Sequence, residues 1–150
     1  MKKVVISTDQ APAPGGAYTQ ALAVGPFIFI SGQIPLDAQG RLVEGDIVVQ
    51  TCQVIANLKA VLAAAGLTLK DVVKTTVFLA DLADFQEFNR AYGEFFPLHP
   101  PARTTIQAAG LPRGVSVEID AIAAKKIWRD PPQMSSRKCR RPVSPHRTPM

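Results

Sequence analysis

The chain has 150 residues, 47% of them hydrophobic, and a formal net charge of +5. That length and composition fit one globular domain with a real core rather than a disordered chain. The charge is uneven: residues 1–124 carry nine Lys and Arg against eleven Asp and Glu, whereas 125–150 carry eight against Asp130 alone, which argues against a basic phosphate-tracking face on the domain.

Val4-Val5-Ile6-Ser7 reads as a short first strand, and Ala11 to Gly16 as a Pro/Gly loop. Phe27 to Gly32 is a second strand, closed by Pro35, and Asp37-Ala38-Gln39-Gly40 is a turn signal. Asp46 caps a long helix on which Val48, Cys52, Ile55, Leu58 and Leu62 recur at helical spacing, with Gly66 as its stop. Val72 to Ala80 is a β-branched run expected to be a buried strand. Asp81 or Asp84 caps a second helix bearing an aromatic stripe of Phe85, Phe88, Tyr92 and Phe95 or Phe96, read as core packing and ended by Pro97. Two further strands, 103–109 and 115–124, are joined by Gly110-Leu111-Pro112-Arg113-Gly114, which predicts a closing hairpin. The order β, β, α, β, α, β, β predicts an α+β domain: a single mixed sheet with both helices on one face. The second sheet face then needs a cover, which predicts a homo-oligomer.

Residues 1–126 form the predicted domain, and 127–150 form a basic Pro/Ser/Arg-rich tail expected to be disordered. The Arg137-Lys138-Cys139-Arg140-Arg141 run in it is the only feature suited to nucleic acid, and a non-specific charged tail is the simpler reading. Cys52, placed on the helix core face, and Cys139 in the tail make no disulfide framework, so a reducing, cytoplasmic compartment is expected. Met1-Lys2-Lys3 precedes only a short apolar stretch, unlike a signal peptide, and no apolar run approaches the roughly 18 residues that span a bilayer.

Two charges stand out. Arg103 opens the apolar run Arg103-Thr104-Thr105-Ile106-Gln107-Ala108, and Glu118 sits in Val115-Ser116-Val117-Glu118-Ile119-Asp120-Ala121-Ile122-Ala123. By the two-residue period of a strand, Arg103, Thr105 and Gln107 share a face, and Glu118 lies with Ser116 and Asp120 opposite the apolar odd positions. The pattern alone favours charges on a solvated face or paired with each other. A functional reading takes the arginine as a planar fork for a carboxylate and the glutamate as the holder of a water. No Gly-rich phosphate loop, zinc-spaced Cys/His cluster or Gly-x-Ser-x-Gly turn is present, and neither His99 nor His146 has a partner for metal binding or a triad. No metal or cofactor is implied. Chemistry then falls to Arg, Glu, Tyr, Ser, Asn and backbone groups, which points to a small anionic ligand and an activated water.

Six motifs occur in order: Ala17-Tyr18-Thr19-Gln20-Ala21, Ile30-Ser31-Gly32-Gln33-Ile34-Pro35, Val73-Lys74-Thr75-Thr76-Val77-Phe78-Leu79, Phe88-Asn89-Arg90-Ala91-Tyr92, Pro101-Ala102-Arg103-Thr104-Thr105 and Val117-Glu118-Ile119-Asp120-Ala121-Ile122-Ala123. Together they resemble the RidA (YjgF/YER057c) family of reactive-intermediate deaminases over about residues 1–125. The resemblance implies a chorismate-mutase-like α+β fold and a homotrimer with ligand clefts between subunits. It implies hydrolysis of 2-imino acids, such as 2-iminobutanoate and 2-iminopropanoate, to 2-oxo acids and ammonia. It assigns Arg103 to the substrate carboxylate, Glu118 to the water, and Tyr18, Ser31 and Asn89 to the pocket, with Asn89 expected to order the neighbouring subunit's wall. Thr105 stands where the family often has cysteine and is expected to act through its backbone. Ala17 replaces the proline of the common Gly-Pro-Tyr. Two alternatives accompany this reading: a non-catalytic trimer that binds small carboxylates, and an RNA-associated translation inhibitor or ribonuclease, which only the tail supports.

Overall fold

The computed structural model describes residues 1–126; the basic tail 127–150, with its Arg137–Arg141 run, lies outside the described residues. Six strands form a single mixed sheet: β1 (Lys3–Ile6), β2 (Ala21–Val24), β3 (Phe27–Gln33), β4 (Val72–Leu79), β5 (Ala102–Gln107) and β6 (Val117–Ala124). Their order across the sheet is β1-β2-β3-β6-β4-β5. Helices α1 (Ile47–Ala64) and α2 (Phe85–Phe95) pack on one face, as the element pattern predicts.

Two points of topology differ from the sequence reading. Strand β2 was absent from it; the short Ala21–Val24 segment turns at Gly25-Pro26 and pairs antiparallel with both β1 and β3. The predicted closing hairpin does not form. Strand β5 instead pairs parallel with β4, after a crossover through α2, and β6 inserts antiparallel between β3 and β4. A parallel pair needs such a crossover, and the Gly110–Gly114 stretch is long enough to carry the chain across β4 rather than turn it back.

Each helix is set by identifiable residues. Asp46 caps α1, its Oδ1 accepting from the Val49 amide at 3.0 Å. Gly66 lies beyond the C-terminus at φ 74°, a left-handed conformation suited to glycine, and the Leu67 amide returns to the Leu62 carbonyl. Of the two aspartates before α2, Asp81 caps the short 3-10 turn Leu82–Asp84 that leads into it, accepting from the Ala83 amide at 2.8 Å, while Asp84, at the N-cap of α2 itself, makes no side-chain capping bond.

Helix α1 buries Val54, Ile55, Leu58, Val61 and Leu62 against the sheet. Cys52 is exposed, contrary to the expected core position. Val48, Val49, Cys52, Ala56 and Ala60 make α1 apolar nearly all round, so spacing alone does not single out its inner face. The same quality makes α1 the one described helix long and apolar enough to cross a membrane, although Gln50, Thr51, Gln53, Asn57 and Lys59 keep it from being an unbroken apolar run. Half of it is buried in the core, where two of its polar side chains find partners: Gln50 Oε1 accepts from the Ser116 amide, and Asn57 Nδ2 donates to the Ile34 and Leu36 carbonyls, while the Thr51 hydroxyl is buried without one.

The opposite sheet face carries no helix. Phe27, Phe29 and Ile106 remain 43–45% exposed there, large apolar side chains without cover at opposite ends of the sheet.

Candidate functional site

Arg103 lies on edge strand β5, in register with Thr75 of β4. Thr75 is fully buried under α2, so Arg103 emerges on the helix-covered face, at its rim. One guanidinium nitrogen, Nη2, donates to Asn89 Oδ1 at 2.8 Å. The Arg103 Cζ lies over the rings of Phe85, Phe88 and Tyr92, at 5.7, 5.6 and 4.8 Å from their centroids. Arg103 and Asn89 are thus brought together within one chain, where Asn89 holds the guanidinium. The one ion pair among the described residues is Arg41–Asp37, so Arg103 has no carboxylate partner there. A cation given aromatic faces and one amide oxygen, but no counter-charge, keeps its other donors for an anion.

Thr105 shares the Arg103 face, with its Oγ1 buried and without a hydrogen-bond partner. The Ala108 amide bonds to Leu79 on β4. Backbone groups alternate sides along a strand, so the Arg103, Thr105 and Gln107 amides and carbonyls point to the open edge. Thr105 therefore presents its backbone groups at the same open edge as Arg103.

Glu118 belongs to a different place. It is in register with Phe78, while its neighbours Val117 and Ile119 pair with Leu79 and Val77 on the helix side. Glu118 therefore stands on the uncovered face. Its carboxylate occupies the space above Gly32, where a β-carbon would collide with Glu118 Oε1. The β3–β6 register shifts between Ile30 and Gln33, a bulge that brings Gly32 under this side chain. Partial burial, reinforced by the nearby negative charge of Asp120, pushes the Glu118 carboxyl above its ordinary range.

Ser31, next to Gly32, donates its hydroxyl to the Thr19 carbonyl at 2.6 Å, and its amide donates to the Gln20 carbonyl. Buried Gln20 ties down the preceding loop, its amide group donating to the Thr8, Ala11 and Pro12 carbonyls. Tyr18 projects from that loop, 52% exposed, and its hydroxyl accepts from the Gly15 amide at 3.0 Å. The phenolic proton is thus free to donate, and Gly15-Gly16 lie against Tyr18 despite the Ala17 departure.

The predicted residues therefore fall into two groups. Arg103, Asn89 and Thr105 lie at the helix-side rim; Glu118 and Ser31 lie at the β3–β6 bulge, with Tyr18 on the loop that Ser31 anchors. Gly32, Phe85 and Tyr92 were not singled out as site residues. A glycine inside a strand signals close approach, and an asparagine inside an aromatic helix stripe signals that the stripe does more than fill the core. Among the described residues no group of His, Cys, Asp and Glu is arranged to hold a metal.

A model of the endoribonuclease L-PSP family matches residues 8–125. A RutC family protein of Pyrococcus abyssi is 50% identical over 127 residues, covering 84% of this chain and all of the relative. The crystal structure of RidA from an Antarctic Psychrobacter is 43% identical with a TM-score of 0.78, covering 81% of this chain and 98% of that one. E. coli TdcF, solved with bound serine, is 39% identical with a TM-score of 0.78, covering 81% and 98%. Family match, whole-length relatives and shared fold agree with the six motifs, and the chain belongs to the L-PSP family that includes RidA, YjgF and RutC proteins.

Proposed function

We propose that this protein hydrolyses small 2-imino acids to 2-oxo acids and ammonia, in sites completed between copies of the chain in a homotrimer. The observation that carries this reading is Arg103: a guanidinium without a counter-charge, held by Asn89 and three rings, suited to a small carboxylate. Arg103 and Glu118 emerge on opposite faces of one sheet, so a small substrate reaches both only if they come from different copies. The uncovered Phe27, Phe29 and Ile106, on the same sheet face as Glu118, supply apolar surface for such packing. A relative solved with bound serine, itself a small amino acid, supports a ligand of this size and charge.

In this mechanism the Arg103 fork binds the carboxylate in bidentate fashion and fixes the imine carbon. Glu118, raised toward neutral pH by its surroundings, takes a proton from water as that water adds to the carbon. Glu118 passes that proton to the imine nitrogen, leaving a carbinolamine; it then moves the carbinolamine hydroxyl proton to the same nitrogen as the carbonyl forms, the carbon–nitrogen bond breaks and ammonia leaves. Tyr18 donates its free phenolic proton to the ligand or the water, and Thr105 offers backbone groups beside the guanidinium.

The test couples the purified protein to an enzyme that generates 2-iminobutanoate and reads ammonia release. Faster release than from spontaneous hydrolysis supports the reading; no acceleration overturns it. The family description supplies a second reading, RNA cleavage. The domain's nine basic against eleven acidic residues provide little for tracking phosphates, and a cleavage assay on single-stranded RNA tests it directly.

A further inference from the structure

Arg103 is held at one nitrogen by Asn89, which leaves the guanidinium free to pivot about that contact. The ring nearest to it is that of Tyr92, with Cζ 4.8 Å from the centroid. Tyr92 is only 4% exposed, and its ring is packed between Phe88 and Phe96, at centroid distances of 5.4 and 4.7 Å. Its hydroxyl meets the Thr75 hydroxyl at 2.8 Å in the buried interior, so each satisfies the other. Thr75 is the residue in register with Arg103 on the adjacent strand. Strand β4 thus locks the tyrosine, and the tyrosine lies under the arginine of β5. Burial holds the phenol in its neutral form, with the Thr75 bond and the Arg103 charge acting the other way.

We propose that Tyr92, locked by Thr75, is a positioning residue for carboxylate recognition: its ring sets the plane of the Arg103 guanidinium while Asn89 sets its rotation. The assignment rests on Arg103 as the carboxylate anchor. A planar fork gains its bidentate geometry only when its plane is fixed, and a packed aromatic face fixes it without consuming a donor.

The test measures the Kd of 2-oxobutanoate, and KM and kcat for 2-iminobutanoate, in Tyr92→Leu, Tyr92→Phe, Arg103→Lys and the Tyr92→Leu/Arg103→Lys double variant. Tyr92→Leu is expected to weaken 2-oxobutanoate binding about tenfold and to raise KM more than it lowers kcat. Tyr92→Phe, which keeps the ring but not the Thr75 bond that locks it, recovers part of that loss. In the Arg103→Lys background, Tyr92→Leu adds less than about twofold, because its effect runs through the guanidinium. Wild-type affinity in Tyr92→Leu, or losses that multiply in the double variant, overturns the proposal. Should Tyr92→Leu fail to fold, the wild-type chain provides the readout: ring-shifted Arg103 δ-proton resonances that persist at saturating 2-oxobutanoate support it, and their collapse on binding overturns it. Binding that depends on Tyr92 without ammonia release upholds the positioning role and sinks the hydrolase reading. Ammonia release whose KM ignores Tyr92→Leu does the reverse.

Discussion

Arg103 and Glu118 project from opposite faces of the same sheet, two strands apart. With β4 between their strands and three residues of offset along them, they stand roughly 14 Å apart in the sheet before their opposite directions are counted. Neither neutralises the other. Each is held by its own surroundings: the arginine by Asn89 and aromatic rings, the glutamate by the space left above Gly32. Two poised charges facing away from each other make sense if each meets its counterpart on another copy.

Replacing Arg103 tests the carboxylate anchor. Arg103→Ala is expected to remove ammonia release from 2-iminobutanoate. Arg103→Lys keeps the charge but loses the fork and is expected to lower kcat/KM about 10²-fold, mostly through KM. Circular dichroism and the oligomeric mass should stay those of the wild type. Normal turnover in Arg103→Ala removes the anchor from the mechanism.

Gly32→Ala separates binding from turnover. The new β-carbon would collide with Glu118 Oε1 and push the carboxylate out of place, while Arg103 on the far face is untouched. The expected result is a fall in kcat of about 10- to 100-fold with 2-oxobutanoate affinity retained. Equal losses in both, or none in kcat, would mean that the Glu118 position does not govern the reaction.

The raised Glu118 pKa predicts a pH dependence. As a general base Glu118 acts ionised, so kcat is expected to rise with pH through a limb above the ordinary glutamate range. Asp120→Asn removes one of the two causes and is expected to move that limb to lower pH. Stability follows the opposite course. Because the folded pKa lies above the unfolded one, the proton is bound more tightly in the folded state. This contribution is full below the ordinary carboxylate range and is lost as pH rises through the folded value. Glu118→Gln should therefore compare more favourably with the wild type at pH 7 than at pH 4, read as urea midpoints. An unchanged difference would mean that the shift is absent.

Much of this was legible in local pattern. The alternation around Glu118 placed it opposite Val117 and Ile119, and that is where it lies. Asp46 and Gly66 bounded α1 through capping chemistry that depends only on neighbouring residues. What local pattern does not contain is pairing at a distance. The insertion of β6 between β3 and β4 is decided by long-range packing, so the expected hairpin with β5 was a local guess that tertiary structure overrode. Cys52 was misplaced because α1 is apolar on too many sides for spacing to orient it. The contact of Asn89 with Arg103, and the seat of Glu118 on Gly32, join separate elements and become visible only once the sheet is assembled.

The most direct test of the account mixes two inactive variants. Arg103→Ala supplies an intact Glu118 half and Glu118→Ala an intact Arg103 half. Co-refolded in equal amounts, they should form mixed trimers in which about a quarter of the clefts pair one intact half with the other, restoring about a quarter of wild-type ammonia release. Activity no higher than the sum of the two parents, in oligomers shown to be mixed, would contradict a site completed between copies.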